Sequence, residues 1–315
     1  VTAAVDQLVE EGTEGYKDDY TFNVAKSKAE QPGVYTSFKQ LVTAMKSNLA
    51  GVYKLAADMT ADEVSLGDNQ ISYLTGAFTG SLIGSDGTKS YAIYDLKKPL
   101  FDTLNGAAVR DLDLKNTQVD SKENAAAVAK TANNANISNV AVEGKVSGRK
   151  SVAGLVVDAT NTRIENSSFS GKLVANHADN NVNYAGGIVG KLTGGNAKVD
   201  KSKIDAVIST AARNNNQTAG GIVGKLESGA LVTRSVTTGK ILNGQGYPRV
   251  GGIVGSTYPR GRVDNVVSNM IVGDGYATTG DQFGNADVKN AITSVENKKQ
   301  DNFVRKVTKE EVDAK

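Results

Sequence analysis

A glycine-rich string returns three times at a nearly constant interval. It reads Ala-Gly-Gly-Ile-Val-Gly at 185–190 and 219–224, and Val-Gly-Gly-Ile-Val-Gly at 250–255. A weaker copy, Val-Ala-Gly-Leu-Val, occupies 152–156. With the apolar residue after glycine as the mark, Leu155, Ile188, Ile222 and Ile253 are spaced by 33, 34 and 31. Stepping back 27 residues reaches Val128, and 27 more reaches Phe101. About six related units therefore run from 100 to 272. Repeats of this length cannot bury an apolar face singly, so a stacked array is the first reading.

Within each unit the side-chain period is two, and Val and Ile hold the apolar positions. Short alternating stretches at 109–114, 136–142, 162–169, 197–208, 231–241 and 262–271 follow the marks. Gly, Asn, Asp and Ser separate them and supply turns. These features predict an all-β solenoid, a parallel β-helix that general preference makes right-handed, with short capping helices. The dense leucine pattern of leucine-rich repeats is missing. With no tryptophan among the 315 residues, propeller-blade signatures are missing too.

The repeated glycines Gly154, Gly186, Gly187, Gly220, Gly221, Gly251 and Gly252 are expected at tight corners. There a Cβ would clash with the next rung or force a disfavoured dihedral. They do not form a phosphate loop, because 186–191 and 220–225 lack its spacing and its Ser/Thr. Upstream, Ser37 followed by Gln40 predicts a capping box, and Phe38, Leu41, Val42 and Met45 trace one helical face. Strands are expected at 52–59, around 78–83 and at 91–94. The expected division is 1–35 as helix or linker, 36–99 as cap and first strands, 100–272 as repeated rungs, and 273–315 as loop and linker. Val1, Val5, Leu8 and Val9 give 1–10 a helical face, and the start at Val1 suggests excision from something longer.

Chemistry is sparse. There is no cysteine and one histidine, His177, in a polar insertion, so thiolate sites and multi-histidine metal sites are excluded. The net charge of +2 gives no basic footprint for nucleic acid. No segment reads as a signal peptide or a membrane span. Asp111 and Asp113 would share the solvent face of one strand as a paired-carboxylate candidate, and Asp86 and Asp274 lie in glycine-flanked turns without a full calcium loop. The densest arginine–aromatic group is Tyr247, Arg249, Tyr258, Arg260 and Arg262, a candidate protein-binding patch.

Several segments resemble a known family. Tyr-Lys-Leu-Ala-Ala-Asp-Met at 53–59, Phe-Thr-Gly at 78–80 and Pro-Leu-Phe-Asp-Thr-Leu-Asn-Gly-Ala at 99–107 are similar to the β-helix region of streptococcal immunoglobulin A1 proteases and related large zinc metalloproteases. The glycine-rich repeats resemble those of the same region, and recur in bacterial adhesins. The resemblance implies a secreted or cell-wall protein of a gram-positive bacterium, with zinc in a peptidase domain further toward the C-terminus. No position here matches the family's metal-binding histidines or catalytic glutamate. The chain is thus expected to be a non-enzymatic, monomeric module without cofactor or membrane insertion. Its implied partners are its own peptidase domain and a host protein, immunoglobulin A1 in that branch. An adhesin-like module and a carbohydrate-active β-helix are the alternatives.

Overall fold

In the computed structural model, the structure describes residues 33–67, 69–176, 183–210, 217–243, 249–257, 261–272, 287–293 and 304–306. Strand pairing follows the repeat. Every ladder is parallel, and the chain winds through about six turns of a β-solenoid. Three sheets run along it. Sheet A is the longest and holds Ala108–Ser121, Asn136–Gly148, Ser168–Ala175, Lys203–Thr210, Val236–Asn243 and Val267–Val272. Sheet B stacks Leu74–Phe78, Phe101–Asn105, Ala129–Asn133, Val156–Thr160, Val189–Thr193, Val223–Glu227 and Val254–Thr257. Sheet C is a short ladder of Val152–Ala153, Tyr184–Gly186, Thr218–Gly220 and Arg249–Gly251.

The marks at Leu155, Ile188, Ile222 and Ile253 lie one above another. The amide of each of the first three donates to the carbonyl of the next mark, at 2.8–3.1 Å. The mark at Val128 also holds, its amide donating to Leu155 O at 3.0 Å. The mark at Phe101 is one residue late. Phe101 pairs with Ala129, so Leu100 takes the marked place and this spacing is 28. Such a slip normally turns a side chain to the opposite face. Here both Leu100 and Phe101 are buried, so composition alone gave no warning.

Rung length changes mainly at one corner. Sheet B partners are 26–28 residues apart in the first turns and 31–34 in the later ones. Most of the added length falls between the end of a sheet A strand and the start of the next sheet C strand, as between Ala175 and Tyr184.

Space, not dihedral freedom, explains the glycine pairs. An added Cβ would lie 2.1 Å from the Gly187 carbonyl at Gly154, and 2.0 Å from the Gly221 carbonyl at Gly187. At Gly221 it would meet the Gly252 carbonyl at 2.0 Å, and at Gly186 and Gly220 it would strike the Val189 and Val223 carbonyls. None of these five adopts positive φ. The third glycine of each string is also held by the neighbouring rung. A Cβ would lie 2.7 Å from the Val157 carbonyl at Gly190, 2.6 Å from the Gly190 carbonyl at Gly224 and 2.6 Å from the Gly224 carbonyl at Gly255. At the last two it would also meet the sheet C backbone of Ala185 or Ala219.

Left-handed backbone recurs in another column. Asp111, Asn139, Asn166, Lys201, Arg234, Asn265 and Asn290 all have φ near 50° and repeat along sheet A. Asn and Asp accept this conformation most readily. Buried serines follow three of them. The hydroxyls of Ser167 and Ser235 accept from the amides of Val140 and Ser202, and each donates to a carbonyl two residues back.

Helix α1 (Phe38–Ser47) packs at the N-terminal end and buries Phe38, Leu41, Val42 and Met45. Ser37 caps it by accepting from Gln40 N, while Glu63 accepts from both the Ser37 hydroxyl and Lys39 N. The Phe38 ring meets Tyr73 edge-on at 5.0 Å, and Phe78 contacts Phe101 at 4.9 Å across the first rungs.

Candidate functional site

Of the arginine–aromatic group, Tyr247, Tyr258 and Arg260 lie outside the described residues, as do His177 and Asp274. Arg249 opens a strand of sheet C and Arg262 opens one of sheet A, so the two start strands on different sheets of one turn. Arg249 is exposed, whereas the Arg262 guanidinium donates to the Gly229 carbonyl at 3.1 Å and ties adjacent rungs.

The other acidic candidates are committed to the fold. Asp111 accepts from Arg110 at 2.6 Å and from Asn139 at 2.9 Å, while Asp113 faces Lys115 at 3.8 Å. Each carboxylate has its own neighbour, and neither is positioned as half of an acid–base pair. Asp86 closes its own turn: one oxygen accepts from Thr88 N, Thr88 Oγ1 and Lys89 N, and the other from the Tyr91 hydroxyl. Among the described residues no group of three or more His, Cys, Asp or Glu is arranged to hold a metal ion. Among the described residues the donor set therefore does not fit zinc.

Two clusters escaped sequence reading. The first is centred on Asp200, whose side chain is 3% exposed. Its oxygens accept from Arg234 Nε at 2.8 Å, from Arg234 Nη2, and from Lys198 Nζ at 2.7 Å. Burial pushes this carboxyl up, but the Arg234 and Lys198 hydrogen bonds outweigh it and hold it below the ordinary carboxylate value. Arg234 belongs to the left-handed column, so the ion pair fixes an unfavourable backbone residue. The sequence signal was weak, because Asp200 and Arg234 are 34 residues apart and meet only through stacking.

The second cluster lies where sheets B and C meet. The Tyr184 ring has Lys191 Nζ at 5.9 Å and Lys225 Nζ at 5.8 Å from its centroid, and Lys225 pairs with Glu227 at 2.5 Å. Burial, then Glu227 and Asp158, raise the Tyr184 hydroxyl above its usual value. Burial also raises the Asp158 carboxyl, with Lys191 opposing. Asp158 makes no hydrogen bond or ion pair through its side chain with the described residues. Two groups raised by burial beside Lys191 and Lys225 mark an interaction candidate, not a complete catalytic constellation.

These features define a parallel β-solenoid in which the buried Asp200 and its partners Lys198 and Arg234 tie neighbouring rungs. Residues 1–144 match the family model described as the M26 IgA1-specific metallo-endopeptidase N-terminal region. The chain is 76% identical over its full length to zinc metalloprotease ZmpC of Streptococcus pneumoniae serotype 4, and covers 17% of that protein. It is 41% identical to the immunoglobulin A1 protease of Streptococcus sanguinis, over 98% of this chain and 17% of the relative. A solved IgA1 protease structure superposes with a TM-score of 0.77 at 35% identity, over 89% of this chain and 23% of that one. The chain is thus similar over residues 1–144 to the N-terminal region of the M26 metallo-endopeptidases, and over its length to a segment of ZmpC and of the immunoglobulin A1 protease. It spans about one sixth of the curated relatives it matches.

Proposed function

We propose that this chain is a non-catalytic module of a secreted, cell-surface zinc metallopeptidase. It supports and orients the peptidase domain and helps recognise a host protein substrate. One observation carries the reading. The chain aligns over its full length with 17% of a protein named zinc metalloprotease ZmpC, yet its single histidine precludes a His-Glu-x-x-His motif within it. The zinc ion and its ligands then belong elsewhere in the longer polypeptide. The solenoid is suited to a spacer because each rung rests on its neighbours and carries load along one axis. No helix among the described residues is long and apolar enough to cross a membrane. Export and wall attachment are therefore assigned to other parts of the polypeptide, and the module itself is taken as a monomer.

The substrate follows the branch. Identity of 76% to ZmpC against 41% to the Streptococcus sanguinis protease favours the ZmpC branch. Recognition of the immunoglobulin A1 hinge is the second reading, and it rests on the names of the other relatives and on the solved IgA1 protease.

The test is surface-based binding of the isolated chain to intact immunoglobulin A1, with immunoglobulin A2 as the hinge-different control. Saturable binding selective for A1 supports hinge recognition, with Arg249 and Arg262 the first positions to substitute. Binding to neither protein overturns the hinge reading and leaves the supporting role in the ZmpC branch.

A further inference from the structure

We propose that another region of the same longer polypeptide docks on the outer face of sheet A at its C-terminal end, around Leu242 and Ile271. This inference rests on the reading that the chain is one module of a longer metallopeptidase. Three columns of side chains cross that face from rung to rung. They begin at Asp113, Gln118 and Asp120 and end at Val267, Ile271 and Leu242. Each column turns from polar to aliphatic, although a solvated sheet face calls for polar residues throughout. Four large apolar side chains are exposed among the described residues, and two of them are Leu242 at 45% and Ile271 at 56%. These two are diagonal neighbours, because Ile271 pairs with Lys240, two positions before Leu242 on the same face.

Charge and size select the occupant. Lys172, Lys203 and Lys240 border the aliphatic end, all exposed and without an ion pair to the described residues. Asp205 is the one acid on the last three long strands of the face, and it accepts from the Thr238 hydroxyl at 3.0 Å. An apolar centre inside a charged border is the anatomy of a protein interface, and the surplus lysines call for acidic groups opposite them. A free partner needs an interface of about 1,600 Å² in all, far more than two half-exposed side chains supply. A tethered partner meets the patch at about millimolar effective concentration and needs much less. The 315 residues cover 17% of ZmpC, so a polypeptide of that kind has ample tethered surface beyond them. The occupant is therefore a surface of that polypeptide with an apolar centre and an acidic border, in preference to a second copy or a host protein.

The test uses the absence of cysteine from these residues, which lets single thiols be placed and followed by mass spectrometry. Leu242→Cys, Ile271→Cys, Gln118→Cys and Val146→Cys are made separately in the full-length polypeptide and in the isolated 315-residue chain, and alkylation rates are compared. Thiols at 242 and 271 should react at least tenfold more slowly in the full-length protein. The thiol at 118, five rungs away in the Ile271 column, should react within twofold in both. The thiol at 146, a fully buried position, should be protected in both, which shows that the isolated chain is folded. Lys203→Glu combined with Lys240→Glu should speed the reaction at 271 in the full-length protein threefold or more. Equal rates at 242 and 271 in the two forms, or no effect of the lysine reversals, would overturn the proposal. So would protection in the isolated chain that grows with its concentration, the mark of a second copy, or protection that appears only when immunoglobulin A1 is added. Zinc-dependent cleavage by the unlabelled full-length protein checks the metallopeptidase reading separately, so cleavage with equal alkylation rates removes the docking site and leaves that reading standing.

Discussion

At Gly187 a single methyl group would have to enter space already held by the Gly221 carbonyl, 2.0 Å away. The obstacle is backbone fixed by the next rung, so it cannot rotate aside. Gly187→Ala is expected to cost about 1–3 kcal/mol or more, the range for overpacking. Gly195 has open space around its missing Cβ and no positive φ, so Gly195→Ala should be neutral or stabilise by up to about 1 kcal/mol. Denaturant titration of the two variants separates steric exclusion from a general need for glycine. The corner glycines were legible because repetition exposed them. The third glycine of each string meets the carbonyl of the neighbouring rung, a contact set by stacking that no local pattern encodes.

Asp200 supplies a pH signature. Its carboxyl lies below its unfolded value, so its stabilising contribution is present above about pH 3.9 and is lost as pH falls through the folded value. Asp200→Asn should cost about 1.5–3 kcal/mol at pH 7, the range for a charged hydrogen bond, and the gap to the parent should narrow in acid. Asp158 has the opposite sign. Its folded value is raised, so its ionised form weighs against the fold at neutral pH, and stability increases as the group protonates. Unfolding curves at pH 7 and in acid check both. A variant of Asp200 with an undiminished deficit in acid would contradict the ion-pair account.

Among the elements, helix α1 was legible to its individual buried residues because its 3.6-residue pattern is unbroken. Its cap was read only in part. The reciprocal role expected of Gln40 belongs to Glu63, which arrives from 26 residues beyond Ser37 and so leaves no trace in the helix sequence. Ser37→Ala and Glu63→Ala should each lower stability by about 1 kcal/mol, and the double variant should lose less than the sum, because the two side chains share one hydrogen bond. The serine column makes a sharper case. Ser235→Ala removes the acceptor of the buried Ser202 amide and should cost about 1–3 kcal/mol, measurable by thermal unfolding.

Taken as a whole, the molecule was legible in its strand periodicity and stacking, because every turn repeats the same solution. Register and the partners of single charges were less so, since these depend on which rung lies above which. The missed first mark shows the reason. A corner that buries both Leu100 and Phe101 removes the alternation by which register is normally read. The same stacking explains the absence of chemistry among the conspicuous acids. Asp86, Asp111 and Asp113 hold turns and neighbouring side chains.

The most direct test of a non-catalytic supporting module is steady-state cleavage by the full-length metallopeptidase, with and without these 315 residues, beside the isolated chain supplied with zinc. The isolated chain should release no fragment. Deletion should raise KM for the intact protein substrate several-fold, with kcat for a short peptide within about threefold, the signature of lost binding and not of lost chemistry. Cleavage by the isolated chain, or unchanged KM and kcat after deletion, would contradict the account.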